Sequence, residues 1–416
     1  MKNRFLAAAA ALATAVALSA CSHLPGYGDD TRTVTVWLMK DSASNGFLKR
    51  FTESFEDEHP DIELDIRIQE WTGIGDRIDA VLKGEETADV IEVGNTQVAR
   101  YAENRTLTDL TLESIRDWGS KDWLPGLSDP GSVNGAQYGI PWYAANRVVI
   151  YNKDLFARAG IVQPPRTRAQ WLEDTAKLDK GDTQGIYLAG QNWYVLSGFI
   201  WDEGGDLAEE RGGEWAGALH TPAALKGMDF YKKLHALGEG PAEADEETPP
   251  QTDVFARGDV AQIIAPPGSA RIIEEANPGL KGKLGFFPVP GKTAAKPGAV
   301  FTGGSDLVIP ESTRHRDAAI EVIEALAGEK WQTELARTMS YVPNKTTLAH
   351  VIAGTESTAA MAAGAAEGRA TPKSGRWAQV EAHNPIKPYM TAVLTGGEPE
   401  QAARTASSTI SSVLAP

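Results

Sequence analysis

The stretch "TVTVWLMKDSASNGFLKRFTESFEDEHPDIELDIRIQEW", Thr33 to Trp71, decides the fold. Its opening, Thr33 to Met39, reads as a β-strand. Phe47, Leu48, Phe51 and Phe55 then recur on one helical face, and Pro60 follows the end of that helix. Next, Ile62, Leu64, Ile66 and Ile68 alternate with polar residues, the pattern of a strand with one buried face. Further on, "GDRIDAVLKGE" reads as helix, "ADVIEVG" as a buried strand and "TQVARYAENR" as helix. The order β-α-β-α-β-α predicts a parallel sheet with right-handed crossovers. Ligands of such sheets lie beyond the carboxyl ends of the strands. Here those ends carry "MKDSASN" (Met39 to Asn45), "EWTG" (Glu70 to Gly73) and "GNTQ" (Gly94 to Gln97).

The chain has 416 residues, which is long for one domain and points to two lobes. A second unit follows "GIPWYAANRVVIYNKDLFARAG" and is mostly helical between Trp171 and Leu237. "GPAEADEETPP" (Gly240 to Pro250) reads as a solvated acidic loop. "DVAQIIAPPG" reads as a strand and turn, and "GAVFTGGSDLVIP" as a strand pair or a strand and turn. "HRDAAIEVIEALAGEKWQTELART" reads as one long helical segment. No internal repeat stands out. A formal charge of −16 makes nucleic acid and anionic lipid surfaces unsuitable partners.

The first twenty residues carry an address. Lys2 and Arg4 precede an apolar run, Phe5 to Ala20, that is short for a membrane span. The run ends in "LSAC", similar to a bacterial lipobox, so Cys21 is the expected lipidation site. Residues 1–20 are then a signal peptide and 21–32 a flexible tether. Cys21 is the single cysteine, so no intramolecular disulfide can form. The expected location is the outer face of the cytoplasmic membrane, lipid-anchored.

Catalytic signatures are hard to find. There is no G-x-S-x-G, and the seven histidines lack metal-ligand spacing. "PGKT" (Pro290 to Thr293) has its preceding glycine, Gly285, one residue too far away for a phosphate loop. Acidic pairs such as Asp202-Glu203 read as solvated. No metal and no cofactor is expected. What remains is aromatic: eleven tryptophans, many of them beside polar or glycine-rich loops. A sugar ring has an apolar face and a rim of hydroxyls. Trp or Tyr can stack on the face. Asp, Glu, Asn and Lys must take the hydroxyls, since each one buried unpaired costs about 1–3 kcal/mol. "GQNWYVLSGFIWDEGGD" (Gly190 to Asp206) has that mixture.

The chain resembles the extracellular solute-binding proteins of sugar ABC importers, the maltose-binding-protein-like group. The resemblance runs from about Thr33 to Ser407. It is carried by the lipobox, "WLMKDSASNGFLKRFTESFEDEHPDIEL", "ADVIEVGNTQVARYAENRTLTDLT", "YGIPWYAANRVVIYNKDLFARAG", "FIWDEGGD", "FARGDVAQIIAPPG", "FPVPG", "FTGGSDLVIP", "YVPNK" and "SGRWAQVEA" in that order. It implies an α/β, two-lobe periplasmic-binding-protein-like fold, with three hinge crossings and a ligand cleft between the lobes. Lobe 1 would hold 33–141 and 304–339, and lobe 2 would hold 147–298 and 344–416. The hinge would be 142–146, 299–303 and 340–343.

The same resemblance implies the ligand contacts. Lys40 and Asp41 follow the first strand, beside Met39. Trp71 stands at the second strand end, and Asn95 and Thr96 at the third. Trp142, Tyr143 and Asn146 lie at the hinge, while Asn192, Trp193 and Tyr194 form an aromatic site on the second lobe. Gly303, Gly304 and Ser305 form a cleft loop, and Trp377 is a C-terminal stacking platform. Many relatives carry Trp where this chain has Pro266-Pro267-Gly268, so one platform is absent. "WLMKDSASNG", "IQEWTGI" and "VIEVGNTQV" look most like actinobacterial members that bind N-acetylglucosamine or chitobiose. The implied partners are a sugar ligand, ABC-importer permease subunits and the membrane through the lipid anchor. The receptor would be monomeric and not an enzyme. A glycan-acting hydrolase or transferase lipoprotein is the alternative, and a peptide or metal receptor a third reading.

Overall fold

The computed structural model describes residues 31–415, except 72, 366, 373 and 375. The expected signal peptide, Cys21 and most of the tether lie outside the described residues. The first strand, β1 (Arg32–Met39), leads into helix α1 (Asn45–Glu58). Ser44 starts that helix by accepting the Phe47 N–H on its hydroxyl at 3.2 Å. Phe47, Phe51 and Phe55 are its buried face, and Trp331 meets Phe47 and Phe51 edge-on at 5.6 and 5.1 Å. β2 (Ile62–Gln69), α2 (Ile74–Leu82) and β3 (Val90–Gly94) complete the opening unit. β1 pairs in parallel with both β2 and β3, so it lies between them. β2 is the sheet edge. Its apolar row fades outward, with Ile62 buried and Ile68 47% exposed.

β4 (Ile140–Asn146) belongs to this same sheet, and β5 (Val148–Asn152) begins the second one a single residue later. The second lobe then adds helices α3 (Arg168–Leu178), α4 (Trp193–Asp202), α5 (Pro222–His235) and α6 (Gln251–Ala256). A hairpin, Ala208–Arg211 with Glu214–Gly217, interrupts the helical run. β6 (Gln262–Ala265), α7 (Ser269–Ala276) and β7 (Leu284–Phe287) follow, and β6 and β7 flank β5 antiparallel on either side.

One long strand, β8 (Val300–Val308), returns the chain to the first sheet. It pairs antiparallel with β3 and β4 and shifts register between Ser305 and Asp306. Two helices stand where one long segment was expected, α8 (Arg316–Ala327) and α9 (Glu329–Met339), broken at Gly328. β9 (Val342–Pro343) pairs with β4 as the third connection between the lobes. The chain closes with α10 (Glu356–Ala365), α11 (Trp377–His383), α12 (Ile386–Leu394) and α13 (Pro399–Leu414).

Each sheet is covered on both faces. Val34, Val36 and Leu38 point to the α1 and α8 side, while Trp37, Ile91 and Val93 point to the α2 side. In the second lobe, Trp171, Phe199, Tyr231 and Ile410 form the larger core, and Ile150, Phe255 and Ile263 the smaller. Two surface expectations are corrected. Asp202 and Glu203 are half-buried and pair with the buried Arg168, at 3.0 and 3.2 Å. The Gly240–Pro250 loop is not solvated throughout: Asp245 and Glu246 are each 9% exposed. Both loop charges are accommodated because Lys387 and Arg147 reach them at 2.7 and 3.0 Å.

Candidate functional site

The junction between the lobes is built from strand ends. β1 delivers Lys40, Asp41 and Ser42, β3 delivers Glu92, Asn95 and Thr96, and β4 and β8 supply Tyr143 and Ser305. Glu92 is fully buried at the centre of this group. It accepts from the Met39 N–H at 2.7 Å and the Ser42 hydroxyl at 2.8 Å, with the Tyr143 hydroxyl at 3.1 Å. Ser305 Oγ lies 3.3 Å from that same Tyr143 oxygen. Burial pushes the Glu92 carboxyl up to about 7 in spite of these donors. Tyr143 stacks on Tyr341 at 4.2 Å, so the network continues into the third connection between lobes. Gly304 passes close under it, where a Cβ would sit 2.4 Å from the Tyr143 carbonyl oxygen.

Several side chains cross from one lobe to the other. Glu381, on α11, accepts from Thr96 Oγ1 at 2.8 Å and from Gln97 Nε2 at 2.7 Å. Its second oxygen accepts from Trp377 Nε1 at 2.8 Å. Thr252, on α6, donates to Asp41 Oδ2 at 3.0 Å, and the Tyr341 hydroxyl donates to the Asp41 carbonyl at 3.2 Å. Asp41 has a positive φ of 63° and Lys40 pairs with Glu70 at 3.4 Å. Burial raises the carboxyls of both Asp41 and Glu381 above their usual range. Among the described residues, no three His, Cys, Asp or Glu side chains are grouped closely enough to hold a metal ion.

The second lobe brings Arg147, Tyr194, Glu246 and Glu247 to this junction. The Arg147 guanidinium lies 4.5 Å over the Tyr194 ring and pairs with Glu246. Tyr194 also packs on Phe301 at 4.5 Å. Glu247 is pushed up to about 8, by burial first and then by repulsion from Glu246, Asp41 and Asp245, with Arg147 opposing.

The sequence-derived residues separate into two groups. Lys40, Asp41, Trp71, Asn95, Thr96, Tyr194, Gly303 and Gly304 are part-exposed, at the strand ends or beside the junction. Trp142 is fully enclosed in the first core, edge-on to Tyr143. Trp193 and Trp377 are 4% and 2% exposed and pack in the second core. Asn192 is fully buried; its Oδ1 caps α4 at the Val195 N–H, and its Nδ2 has no partner among the described residues. Asn146 Nδ2, where β4 ends, is likewise unpartnered. Where the resemblance expects a tryptophan, Pro267 instead lines a cavity of about 490 Å³ with Arg50, Arg271 and Arg337.

Sequence reading missed Glu92, Arg147, Glu246, Glu247, Thr252, Tyr341 and Glu381. Glu92 had a signal, a lone carboxylate inside the apolar run "VIEVG". Glu381 stands four residues after Trp377, one helical turn on, which is a weaker one.

Two α/β lobes, joined by several chain crossings and bonded across a junction of strand ends, are the architecture of a solute-binding protein. The chain belongs to the bacterial extracellular solute-binding protein family, which it matches over residues 40–333. It is 34% identical to the diacetylchitobiose binding protein DasA of Streptomyces coelicolor, over 97% of each chain. Among solved structures it superimposes on the ABC transporter solute-binding protein of Thermotoga lettingae bound with α-D-tagatose, with a TM-score of 0.82 at 23% identity. That match covers 92% of this chain and 100% of the other. The GacH receptor of Streptomyces glaucescens matches with a TM-score of 0.79, also at 23% identity, covering 92% and 98%. These two likenesses show the fold.

Proposed function

We propose that this protein is a sugar receptor of an ABC importer, for N-acetylglucosamine or its β-linked disaccharide. One observation carries the reading. Polar side chains from both lobes meet at one junction, Thr96 and Gln97 against Glu381 and Asp41 against Thr252, beside the Tyr194 and Tyr341 rings. Such a junction gains ligand contacts from both sides only when the lobes close. The 34% identity to a diacetylchitobiose binding protein supports the choice of sugar.

In this reading, lobe 1 is 33–141 with 304–339, lobe 2 is 147–298 with 344–416, and the hinge is 142–146, 299–303 and 340–343. Lys40, Asp41, Trp71, Asn95, Thr96, Tyr143, Asn146, Asn192, Tyr194, Gly303, Gly304 and Ser305 take the sugar. Trp142, Trp193 and Trp377 support them from the cores. Cys21 carries the lipid that holds the monomeric receptor outside the cytoplasmic membrane, near its permease partners. The protein binds its sugar and releases it unchanged, as the relatives named as binding proteins suggest.

The test is titration calorimetry with N-acetylglucosamine, its β-1,4 disaccharide and maltose. Micromolar binding of an N-acetylated sugar, about −8 kcal/mol, with intact sugar recovered by chromatography, is the expected result. Steady hydrolysis would favour the enzyme reading instead.

A further inference from the structure

The three connections between the lobes meet at one side chain. Tyr143 stands on β4, opposite Ser305 of β8 and Pro343 of β9. Its ring stacks on Tyr341, close before β9, at 4.2 Å and 11°. Its hydroxyl lies 2.9 Å from Ser42 Oγ, 3.1 Å from Glu92 Oε1 and 3.3 Å from Ser305 Oγ. Ser42 donates to the same Glu92 oxygen at 2.8 Å, and the other oxygen takes the Met39 N–H at 2.7 Å. Glu92, 0% exposed, is therefore the acceptor on which this network ends. β8 shifts register directly after Ser305, so the ladder alone does not hold that strand's alignment. A carboxyl is a costly choice here. Within "VIEVG" an aliphatic residue would fill β3 without burying a polar group. Apolar packing is non-directional, whereas a fully bonded carboxyl fixes its donors in distance and angle.

Resting on the sugar-receptor reading, we infer that Glu92 is the positioning residue of the hinge, aligning the three connections through the Tyr143 hydroxyl and so setting how tightly the lobes close on sugar. Being enclosed, Glu92 acts through its neighbours rather than by contact with ligand. It orients Tyr143, and the Tyr143 ring orients Tyr341 by stacking. The Tyr341 hydroxyl then holds the Asp41 carbonyl at 3.2 Å, and Asp41 accepts from Thr252 of the other lobe at 3.0 Å. Asp41 has a φ of 63°, a conformation that a non-glycine residue keeps only where its surroundings hold it. The bond from Tyr341 is one of those restraints. Loss of the Glu92 carboxyl leaves the Met39 N–H and the Ser42 and Tyr143 hydroxyls without their shared acceptor, and frees the stack to turn.

The experiment is a double-mutant cycle on the purified chain, with the β-1,4 disaccharide of N-acetylglucosamine as the probe. Glu92→Leu nearly keeps the side-chain volume and removes the acceptor. Affinity should fall at least about tenfold, and the radius of gyration at saturating sugar should exceed that of the wild type. Weaker binding alone would leave that second readout unchanged. Glu92→Gln still accepts the Met39 N–H and donates towards Ser42 and Tyr143, so it should stay within about threefold of wild type. Tyr143→Phe removes only the hydroxyl and should lose about as much as Glu92→Leu. Joined to Glu92→Leu, it should add less than about threefold, because both act along one path. Losses that multiply instead, or wild-type affinity in Glu92→Leu, overturn the inference and leave the receptor reading intact. If Glu92→Leu does not unfold cooperatively, Tyr143→Phe decides alone: an affinity loss of about tenfold at a wild-type denaturation midpoint upholds the inference, and native affinity overturns it. Failure of the wild type to bind the probe or N-acetylglucosamine overturns the receptor reading, and this inference with it.

Discussion

Glu381→Ala removes the hydrogen bonds that most directly tie the two lobes together. Thr96 and Gln97 belong to the first lobe, and Glu381 lies on a helix packed into the second lobe's core through Trp377 and Val380. In the proposed hinge motion the two crossing bonds are made on closure and lost on opening. Burial raises the Glu381 carboxyl above its usual range, and the two bonds are weighed at about 0.5–1.5 kcal/mol each. Together they favour closure by about 1–3 kcal/mol, or about 5- to 150-fold in the open–closed equilibrium. Small-angle scattering of the unliganded protein and sugar titration read this equilibrium from opposite ends. If the free receptor is mostly closed, the variant's radius of gyration rises. If it is mostly open, sugar affinity falls by the same factor. Gln97→Leu removes one crossing bond and leaves the Trp377–Glu381 bond in place, so it should give about half the free-energy effect. Native radius and native affinity together in Glu381→Ala would refute the latch.

Three further outcomes follow from buried groups. Arg168→Met strands Asp202 and Glu203 with only Lys292 at 3.1 Å, and should cost about 3–5 kcal/mol in chemical denaturation; a loss below about 1 kcal/mol would mean that the pair is solvated after all. Gly238→Ala places a Cβ 1.7 Å from the Ile186 carbonyl oxygen, so backbone must move, at about 1–3 kcal/mol or more; wild-type melting behaviour would contradict that packing. Glu92 titrates near 7 in the folded chain against an ordinary 4.5, so the native state holds a proton that the unfolded chain has lost. Its contribution to stability therefore falls as pH rises from about 4.5 to 7, and the stability of wild type relative to Glu92→Gln should drop over that window; a constant difference would remove Glu92 as the cause.

The parts of the fold that were legible in sequence are those set by local periodicity. Phe47, Phe51 and Phe55 at helical spacing, and the Val- and Ile-rich runs of β1 and β3, leave few alternatives for the opening unit. The junction is different, because its partners are far apart in the chain. Thr96 and Glu381 are 285 residues apart, and Asp41 and Thr252 are 211. The Gly240–Pro250 loop was misread for a related reason. Its composition is that of a solvated segment, and only the distant Arg147 and Lys387 make its burial affordable. Tryptophan was ambiguous in the opposite sense. Trp193 and Trp377 sit beside polar loops in sequence, but their rings pack into the core and their neighbours Tyr194 and Glu381 reach the junction.

The proposed closure has opposing electrostatic consequences. Bringing the lobes together gives Asp41 the Thr252 hydroxyl and gives Glu381 its donors from Thr96 and Gln97. It also takes Asp41, Glu247 and Glu381 out of water, and burial is the first cause of the upward shift at each. Among the described residues, no hydrogen-bond donor reaches the enclosed Glu247 Oε2 in return. Glu247→Gln should therefore ease closure in the absence of sugar and lower the unliganded radius of gyration, opposite in sign to Glu381→Ala. Scattering that gives both variants the same sign of change would separate closure from the Glu247 charge.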